Sequence, residues 1–152
     1  MVTESGGSDL DVDSRIRKAT MAYYRLSRIW YSKSLSHKLK IKIFKSNVLS
    51  VLLYGSETWK LTDDQLNKLK VFQTTYTRRI MNVKWFHRVT NKDLLTRSRQ
   101  DDMGEIMERR RWKYVGHVLR RRGAPTEVSL GWALEGKRRP GRPKQTWRQG
   151  RI

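Results

Sequence analysis

Two pairs of adjacent aspartates are the residues in this sequence best suited to hold a metal ion. They are Asp63-Asp64 and Asp101-Asp102. Adjacent carboxylates can bind the divalent cations that polymerases and nucleases use. Both pairs, however, lie where a helix is predicted to begin, and acidic residues there are explained by capping and the helix dipole. We therefore predict no metal site at either pair.

The histidines are also poor candidates for a catalytic or zinc site. His37, His87 and His117 are far apart in sequence, and none has a partner at the spacing of zinc ligands. His117 lies between Gly116 and Val118 and is predicted to pack or hydrogen-bond within a helix. The sequence has no cysteine, no glycine-rich phosphate loop and no nucleophile elbow. We therefore predict that the chain is not an enzyme by itself, and that it has no cofactor.

The charge of the chain is its dominant compositional feature. Its 152 residues include 34 Lys and Arg but 14 Asp and Glu, a formal net charge of +20. Such self-repulsion destabilises a compact chain unless a polyanion relieves it, which indicates nucleic acid first and an anionic membrane second. No apolar run approaches the roughly 18 to 20 residues of a transmembrane helix, and residues 1–12 are polar and acidic, unlike a secretory signal. We predict an intracellular partner of nucleic acid with no membrane role.

Basic residues are concentrated near the C-terminal end of the chain. Residues 109–152 contain fourteen Lys and Arg against Glu127 and Glu135, a net charge of +12. Such a segment would bind phosphates without sequence preference, and Trp132 and Trp147 could stack on exposed bases, while Trp112 is predicted to pack in the core. The predicted nucleic-acid contacts in this segment are Arg109, Arg110, Arg111, Arg120, Arg121, Arg122, Lys137, Arg138, Arg139, Arg142 and Lys144.

Within this segment, residues 137–144 (KRRPGRPK) are similar to the AT-hook, a peptide that binds the A·T minor groove. Pro140 stands where the first core arginine of that motif would be, which weakens base recognition more than phosphate binding. The same residues could serve as a nuclear-import signal, so we predict a nuclear location.

The most continuously apolar stretch of the chain, residues 36–59, is predicted to be its central helix. Apolar and aromatic residues recur at helical spacing along it, with Ser36 as the N-cap. A strand over residues 48–54 is the alternative, because short Val and Leu runs are ambiguous. Lys38, Lys42 and Lys45 fall on one face of this helix and are predicted to contact nucleic acid. The face predicted to pack comprises Leu39, Ile43, Asn47, Val51 and Tyr54.

Further helices flank this central one. An amphipathic helix is predicted from Ser14, after a flexible acidic segment at residues 1–13, and its packing positions are Ile16, Ala19, Tyr23, Leu26 and Trp30. Thr62 and Gln65 have the form of a capping box for a helix containing Leu66, Leu69, Phe72, Tyr76, Ile80 and Val83.

Two more helices complete the predicted domain. A short helix begins at Thr90 and holds Leu94 and Leu95, after an aromatic connector at residues 85–88. A last helix runs from the second aspartate pair to Gly123, with Met103, Ile106, Trp112, Val115, Val118 and Leu119 as packing positions. We therefore predict an all-α chain of four or five helices in one small domain at residues 14–123, followed by an irregular basic tail at residues 124–152.

Several short motifs follow one another in a fixed order along the chain. The first is VLLYGSETW at residues 51–59. The later ones are Arg78-Arg79-Ile80, Arg111-Trp112, GHVLR at residues 116–120, GRP at residues 141–143, and Thr146-Trp147. In this order the motifs resemble the region downstream of the polymerase core in non-long-terminal-repeat (LINE-type) retrotransposon reverse transcriptases, and the resemblance extends over residues 9–147, nearly the whole chain.

The resemblance implies the helical thumb and post-thumb region of such an enzyme. The catalytic aspartates of that family lie in the palm, and neither aspartate pair here matches their aromatic-Ala-Asp-Asp turn. The chain would therefore grip template and primer, as RNA, DNA or hybrid with low sequence specificity, and would not transfer phosphoryl groups. Two alternatives stay open: part of an RNA-directed DNA polymerase whose active site lies upstream, or a module that binds a protein partner through apolar surface left by the missing palm.

Overall fold

The structure, a computed structural model, describes residues 7–59 and 61–120, with side chains from Leu10 onward. These residues form α1 (Gly7–Arg25), α2 (Ser27–Tyr31), α3 (His37–Ile43), a π-helical segment (Phe44–Leu49), α4 (Ser50–Leu52), α5 (Asp63–Ile80), α6 (Asn91–Ser98) and α7 (Met103–Arg120), with 3-10 turns at Ser56–Thr58 and Trp85–His87. No strand occurs in this part of the chain, and five α-helices have seven or more residues, so the all-α prediction is confirmed.

The first helix begins earlier than predicted. It starts at Gly7, so residues 7–13 are not the flexible segment expected from their composition. Val12 is fully buried, and the indole Nε1 of Trp59 donates to Asp11 Oδ2 at 2.7 Å. Asp13 pairs with Lys68 of α5 at 3.1 Å. The acidic residues therefore attach α1 to the rest of the domain, a role that composition alone does not reveal.

A turn at Leu26 separates α1 from α2. The ring of Trp30 stacks on that of Tyr23 with centroids 5.1 Å apart, and Trp30 Nε1 donates to the carbonyl oxygen of Tyr23 at 2.7 Å. Tyr23, Trp30 and Ala19 are buried as predicted. Tyr23 also contacts Tyr76, with ring centroids 4.3 Å apart, so it joins the first helices to α5.

The central segment is helical, and the alternative of a strand at residues 48–54 is excluded. Ser36 caps it as predicted, its hydroxyl accepting from the amide of Leu39. The predicted packing face is correct only in part: Ile43 and Val51 are half-buried against the core, but Asn47 is exposed and Leu39 and Tyr54 are 42% and 68% exposed. The buried face of this segment comprises Lys40, Ile41, Phe44, Val48, Leu49, Leu52 and Leu53.

A π-helical turn at Phe44–Leu49 widens the middle of this segment. Polar side chains bind the backbone there: Asn47 Nδ2 and Ser46 Oγ both donate to the carbonyl oxygen of Ile43, at 3.1 and 3.2 Å. The hydroxyl of Ser50 donates to the carbonyl oxygen of Ser46 at 2.6 Å. These bonds satisfy backbone acceptors where the ordinary helical ladder changes register.

Both ends of α5 follow from local chemistry. Thr62 Oγ1 accepts from the amide of Gln65 at 3.3 Å while Gln65 Oε1 accepts from the amide of Thr62 at 3.0 Å, the capping box predicted. At the other end Asn82 has a φ of +53°, and the amide of Val83 donates to the carbonyl oxygen of Arg78 at 2.9 Å. This is a Schellman motif, and it ends the helix at Ile80, before the Val83 predicted to belong to it.

The second aspartate pair is used to attach α7. Asp102 accepts from the amide of Gly104 at 2.8 Å and pairs with Lys70 of α5 at 3.0 Å, while Asp101 pairs with Arg109 at 2.8 Å. Capping and ion pairing thus account for these carboxylates, in agreement with their predicted structural role.

The packing positions of α7 differ in part from those predicted. Met103 and Val118 are buried as expected, and Met107 is buried as well. Trp112 and Leu119 are 55% and 52% exposed, so their predicted packing is wrong. The exposed His117 does not pack in the core either. The side chains that face inward follow the helical period from Met103, and Trp112 lies off that stripe.

Several predictions concern residues outside the described ranges. They are the C-terminal stop at Gly123, the basic tail at residues 124–152 and its AT-hook-like sequence. In the described part of the chain, no helix is long and apolar enough to cross a membrane.

Candidate nucleic-acid interface

A face of exposed lysines runs along the central helical segment. Lys38, Lys42 and Lys45 follow one another at steps of four and three residues, and all three are exposed. Lys45 Nζ donates to the carbonyl oxygen of Arg99, the exposed residue that follows α6. We call these four residues the lysine face; the structure adds Arg99, which sequence spacing gave no reason to include.

The remaining lysine of this segment has a different role. Lys40 is 6% exposed, and its Nζ donates to the carbonyl oxygen of Trp30 at 2.9 Å. The bond attaches α3 to the end of α2, and the aliphatic stem fills space beside the core. Lys40 therefore positions the lysine face without belonging to it.

The three lysines of this face, although not Arg99, lie within a stretch of sequence that contains no acidic residue. Between Ser14 and Ser56 there are ten Lys and Arg and no Asp or Glu. Arg15 is half-buried and pairs with Asp11, and Lys40 is buried; the other eight are exposed, seven on helices and Lys33 in the loop after α2. The surface that these exposed cations form carries uncompensated positive charge. Such a surface attracts a polyanion and raises its local concentration. The ten are Arg15, Arg17, Lys18, Arg25, Arg28, Lys33, Lys38, Lys40, Lys42 and Lys45.

The carboxylates that form ion pairs lie in other parts of the domain. They belong to the first half of α1, to the turn before α5 and to the start of α7, and each lies before Ser14 or after Ser56. Among the residues that the structure describes, none of these pairs includes a member of the lysine face. The pairs are Asp11 with Arg15, Asp13 with Lys68, Asp102 with Lys70, Asp101 with Arg109 and Glu57 with Arg110.

The three consecutive arginines of α7 are all engaged within the chain. Arg110 Nη1 donates to the carbonyl oxygen of Leu53 at 3.1 Å and to Glu57 Oε1 at 3.0 Å. Arg111 Nη2 donates to the carbonyl oxygen of Trp59 at 3.2 Å, and Arg109 pairs with Asp101. The contacts of Arg110 and Arg111 hold α7 against the turn that follows α4. Their predicted binding to nucleic acid stays a prediction, but the structure gives Arg110 and Arg111 a packing function that sequence reasoning missed.

The other predicted basic contacts are partly described. Arg120 is exposed at the end of α7. The remaining ones lie outside the described residues, namely Arg121, Arg122, Lys137, Arg138, Arg139, Arg142 and Lys144. The helical period could have predicted which arginine of α7 faces the core. Arg110 falls seven residues, or two turns, after the buried Met103 and therefore lies on the same inward face.

Two tyrosines and an arginine connect the acid-free stretch to the end of α5. Arg79 Nη1 donates to the hydroxyl of Tyr24 at 3.1 Å, and this hydrogen bond raises the pKa of Arg79. Burial raises the pKa of Tyr23 to about 12, although the nearby Arg79 opposes the shift. Arg79 stays cationic at any physiological pH, so this end of the domain keeps its positive charge.

The described residues contain no group of three or more His, Asp or Glu side chains that could hold a metal ion. The carboxylates with the best spacing for one, at 101 and 102, are occupied by Arg109 and Lys70. The candidate site is thus a positively charged surface carried by packed helices.

Comparison with known proteins gives two matches. A family model described as a domain of unknown function (DUF6451) matches residues 22–54, which is 33 of the 152 residues and lies wholly within the acid-free stretch. No solved structure matches the chain. An uncharacterized transposon-derived protein of Caenorhabditis elegans is 25% identical over 139 residues, covering 88% of this chain and 50% of that protein. Over most of its length, this chain is therefore similar to about half of a transposon-derived protein.

Proposed function

We propose that this chain is a nucleic-acid-binding segment of a retrotransposon reverse transcriptase, corresponding to its helical thumb and the region after it. The single observation that carries the binding role is the lysine face, whose three lysines are set in a stretch with ten cations and no carboxylate. Support for the origin comes from the ordered motifs of the sequence and from the similarity to a transposon-derived protein.

The packing of the central segment suits such a role. Ile41, Phe44 and Val48 fix one side of it in the core, while Lys38 and Lys42 extend from the other side into solvent. A helix fixed in this way presents ammonium groups at spacings that a phosphate backbone can meet. Each contact releases condensed counterions, so affinity is independent of sequence and falls steeply with salt.

The proposal assigns no phosphoryl transfer to the chain alone. The polymerase active site would lie in sequence that precedes this segment in the full enzyme, and the role here is to grip template and primer. The aspartates that resemble metal ligands in sequence support this assignment, because Asp101 and Asp102 are bonded to cations of the chain itself.

The test is a salt series of binding to duplex and to single-stranded nucleic acid. The variant Lys38→Gln/Lys42→Gln/Lys45→Gln removes three cations from the lysine face. We expect it to lower affinity about tenfold or more near roughly 50 mM salt and to reduce the slope of log K against log salt by about 2 to 3 on duplex.

The control is Lys68→Gln/Lys70→Gln, which removes two cations from ion pairs with Asp13 and Asp102, so the two variants are compared per cation removed. These cations are already compensated, so the slope should change by less than about 1. Equal losses of affinity per cation removed in the two variants would show that only net charge matters. That result would refute a specific role of the lysine face in binding. A wild-type affinity that is flat with salt, or no binding near roughly 50 mM salt, would refute the proposed function itself.

A further inference from the structure

We propose that Trp85 is a stacking site for an unpaired base, so that the domain binds single-stranded nucleotides as well as phosphate backbone. This inference rests on the proposed nucleic-acid binding and adds the chemical class of a second contact. Its basis is an aromatic turn that projects from the domain between α5 and α6.

The two aromatic rings of this turn are unusually exposed. Trp85 is 89% exposed and the adjacent Phe86 58%, although indole and phenyl rings are among the groups that gain most from burial. Their rings meet edge to face, with centroids 5.9 Å apart and planes at 82°. Phe86 thus contacts the indole, while the high exposure of Trp85 leaves most of its ring accessible to a partner.

The turn that carries these rings is held by several hydrogen bonds. The amide of Lys84 donates to His87 Nδ1 at 3.0 Å, and the amide of His87 donates to the carbonyl oxygen of Lys84 at 3.1 Å. Arg88 has a φ of +49° and closes the turn, with its amide 3.3 Å from the carbonyl oxygen of Trp85. An aromatic side chain on a fixed turn loses little conformational entropy when it binds.

A side chain from α5 fixes the far end of the turn. Arg78 Nη2 donates to the carbonyl oxygen of Val89 at 2.7 Å and to Asn91 Oδ1 at 2.9 Å. The guanidinium therefore ties the chain after the turn back to the last turn of α5. Together with the Schellman motif at Asn82, this contact defines the direction in which Trp85 projects.

Positive charge surrounds the exposed indole. Residues 84–92 contain Lys84, Arg88 and Lys92 and no acidic residue, and all three cations are exposed. The first carboxylate after them, Asp93, accepts a hydrogen bond from the hydroxyl of Thr90 at 2.7 Å. An exposed aromatic face bracketed by cations matches a nucleotide, which offers a base to stack and a phosphate to pair. An apolar protein surface would instead have to desolvate those cations.

The site is connected to the acid-free stretch through the end of α5. In the turn of α5 that precedes the aromatic turn, Arg79 bonds to the hydroxyl of Tyr24 on α1, and the hydroxyl of Tyr76 donates to Thr20 Oγ1 at 3.3 Å. The aromatic turn is therefore attached to the same end of α1 that leads into the basic segment before the lysine face.

The experiment compares two ligands that differ only in their bases. One is an oligothymidylate of about 12 nucleotides and the other is an abasic oligonucleotide of the same length and charge. Wild type should prefer the oligothymidylate about 5- to 100-fold, the range expected of one stacked base. Trp85→Ala should reduce that preference by about 5-fold or more with an unchanged salt slope, and Trp85→Phe should keep most of it because a flat ring remains.

Tyr54→Ala is the matched control, because Tyr54 is another exposed aromatic, 68% exposed, whose ring is already covered by the guanidinium of Arg15 at 4.7 Å from its centroid. It should leave the preference for bases unchanged. If Trp85→Ala keeps the full preference while binding remains salt-dependent, the stacking site is refuted and the proposed function stands. If wild type binds neither ligand near roughly 50 mM salt, both are refuted.

Discussion

Arg109 and Arg110 offer a direct test of which arginines of α7 hold the fold. Arg110 bonds to the carbonyl oxygen of Leu53 at 3.1 Å and to Glu57 at 3.0 Å, and its side chain is 35% exposed. Arg109 pairs with Asp101 at 2.8 Å in a site where both side chains are about half exposed, at 58% and 49%. Mutating each to alanine removes one guanidinium from adjacent positions of the same helix, so the net charge of the two variants is identical.

The expected losses differ because of the surroundings. A hydrogen bond to a charged group contributes about 1.5 to 3 kcal/mol, and two such bonds at a partly solvated site, discounted for screening, make about 2 kcal/mol. An exposed ion pair contributes about 0 to 1 kcal/mol. For a chain of this size, 1 kcal/mol moves Tm by about 2 to 4 °C, so Arg110→Ala should lower Tm by about 4 to 8 °C and Arg109→Ala by less than about 4 °C.

Chemical denaturation followed by circular dichroism measures the free energy of unfolding, and thermal denaturation measures Tm. Equal destabilisation by the two variants would refute the reasoning, as would a loss below about 0.5 kcal/mol for Arg110→Ala. The same two proteins can be carried into the salt series of nucleic-acid binding. There a reduced slope for Arg110→Ala in its folded form would assign that residue to phosphate contact as well.

Two further predictions concern buried aromatic residues. Trp59→Phe removes the indole donor that bonds to Asp11 at 2.7 Å and should lower the free energy of unfolding by about 1.5 to 3 kcal/mol in urea titration, whereas Trp112→Phe, at an exposed position, should change it by less than about 0.5 kcal/mol. Tyr23 has its pKa raised from 10.0 to about 12 by burial, so between these values the folded state keeps a proton that the unfolded state has lost. Stability from Tyr23 is therefore complete below pH 10 and falls by about 1 to 2 kcal/mol as pH approaches 12. Denaturation across this range should show a shallower decline for Tyr23→Phe than for wild type, and parallel curves would contradict the assignment.

Sequence alone was sufficient where one local signal decided the outcome. The capping box at Thr62 and Gln65, the N-caps at Ser36 and Thr90 and the apolar spacing of α5 are all observed. Each depends on residues within one or two turns of helix, so no tertiary contact is needed to predict them.

Sequence was insufficient where two faces of one helix both fit the helical period. In the central segment, the stripe through Ile41, Phe44 and Val48 and the stripe through Leu39 and Asn47 both recur at three- and four-residue steps. The first is buried, and the polar Asn47 of the second is exposed and bonds the backbone of the π-helical turn. Of the two stripes, the one made only of apolar residues is the one that the structure buries.

Long side chains caused the remaining errors. Lys40 occupies a buried position because its ammonium reaches the carbonyl oxygen of Trp30, and Arg110 does the same with that of Leu53. Trp112 is displaced to the surface because arginines take the inward register of α7 near the turn after α4. Hydropathy assigns charged residues to solvent, so only a contact between distant segments could reveal these roles.

The distribution of carboxylates connects the stability of the domain with the charge of its surface. The carboxylates of the ion pairs all lie outside the acid-free stretch, and three of them join separate elements: Asp13 joins α1 to α5, Asp102 joins the start of α7 to α5, and Glu57 joins the turn after α4 to α7. A carboxylate placed beside Lys38 or Lys42 would relieve repulsion there, but it would also neutralise the charge that a phosphate backbone needs. The buried Lys40 and the apolar residues around Phe44 hold the lysine face without such a partner. Substitutions at ion pairs should therefore act mainly on stability, and substitutions on the lysine face mainly on binding.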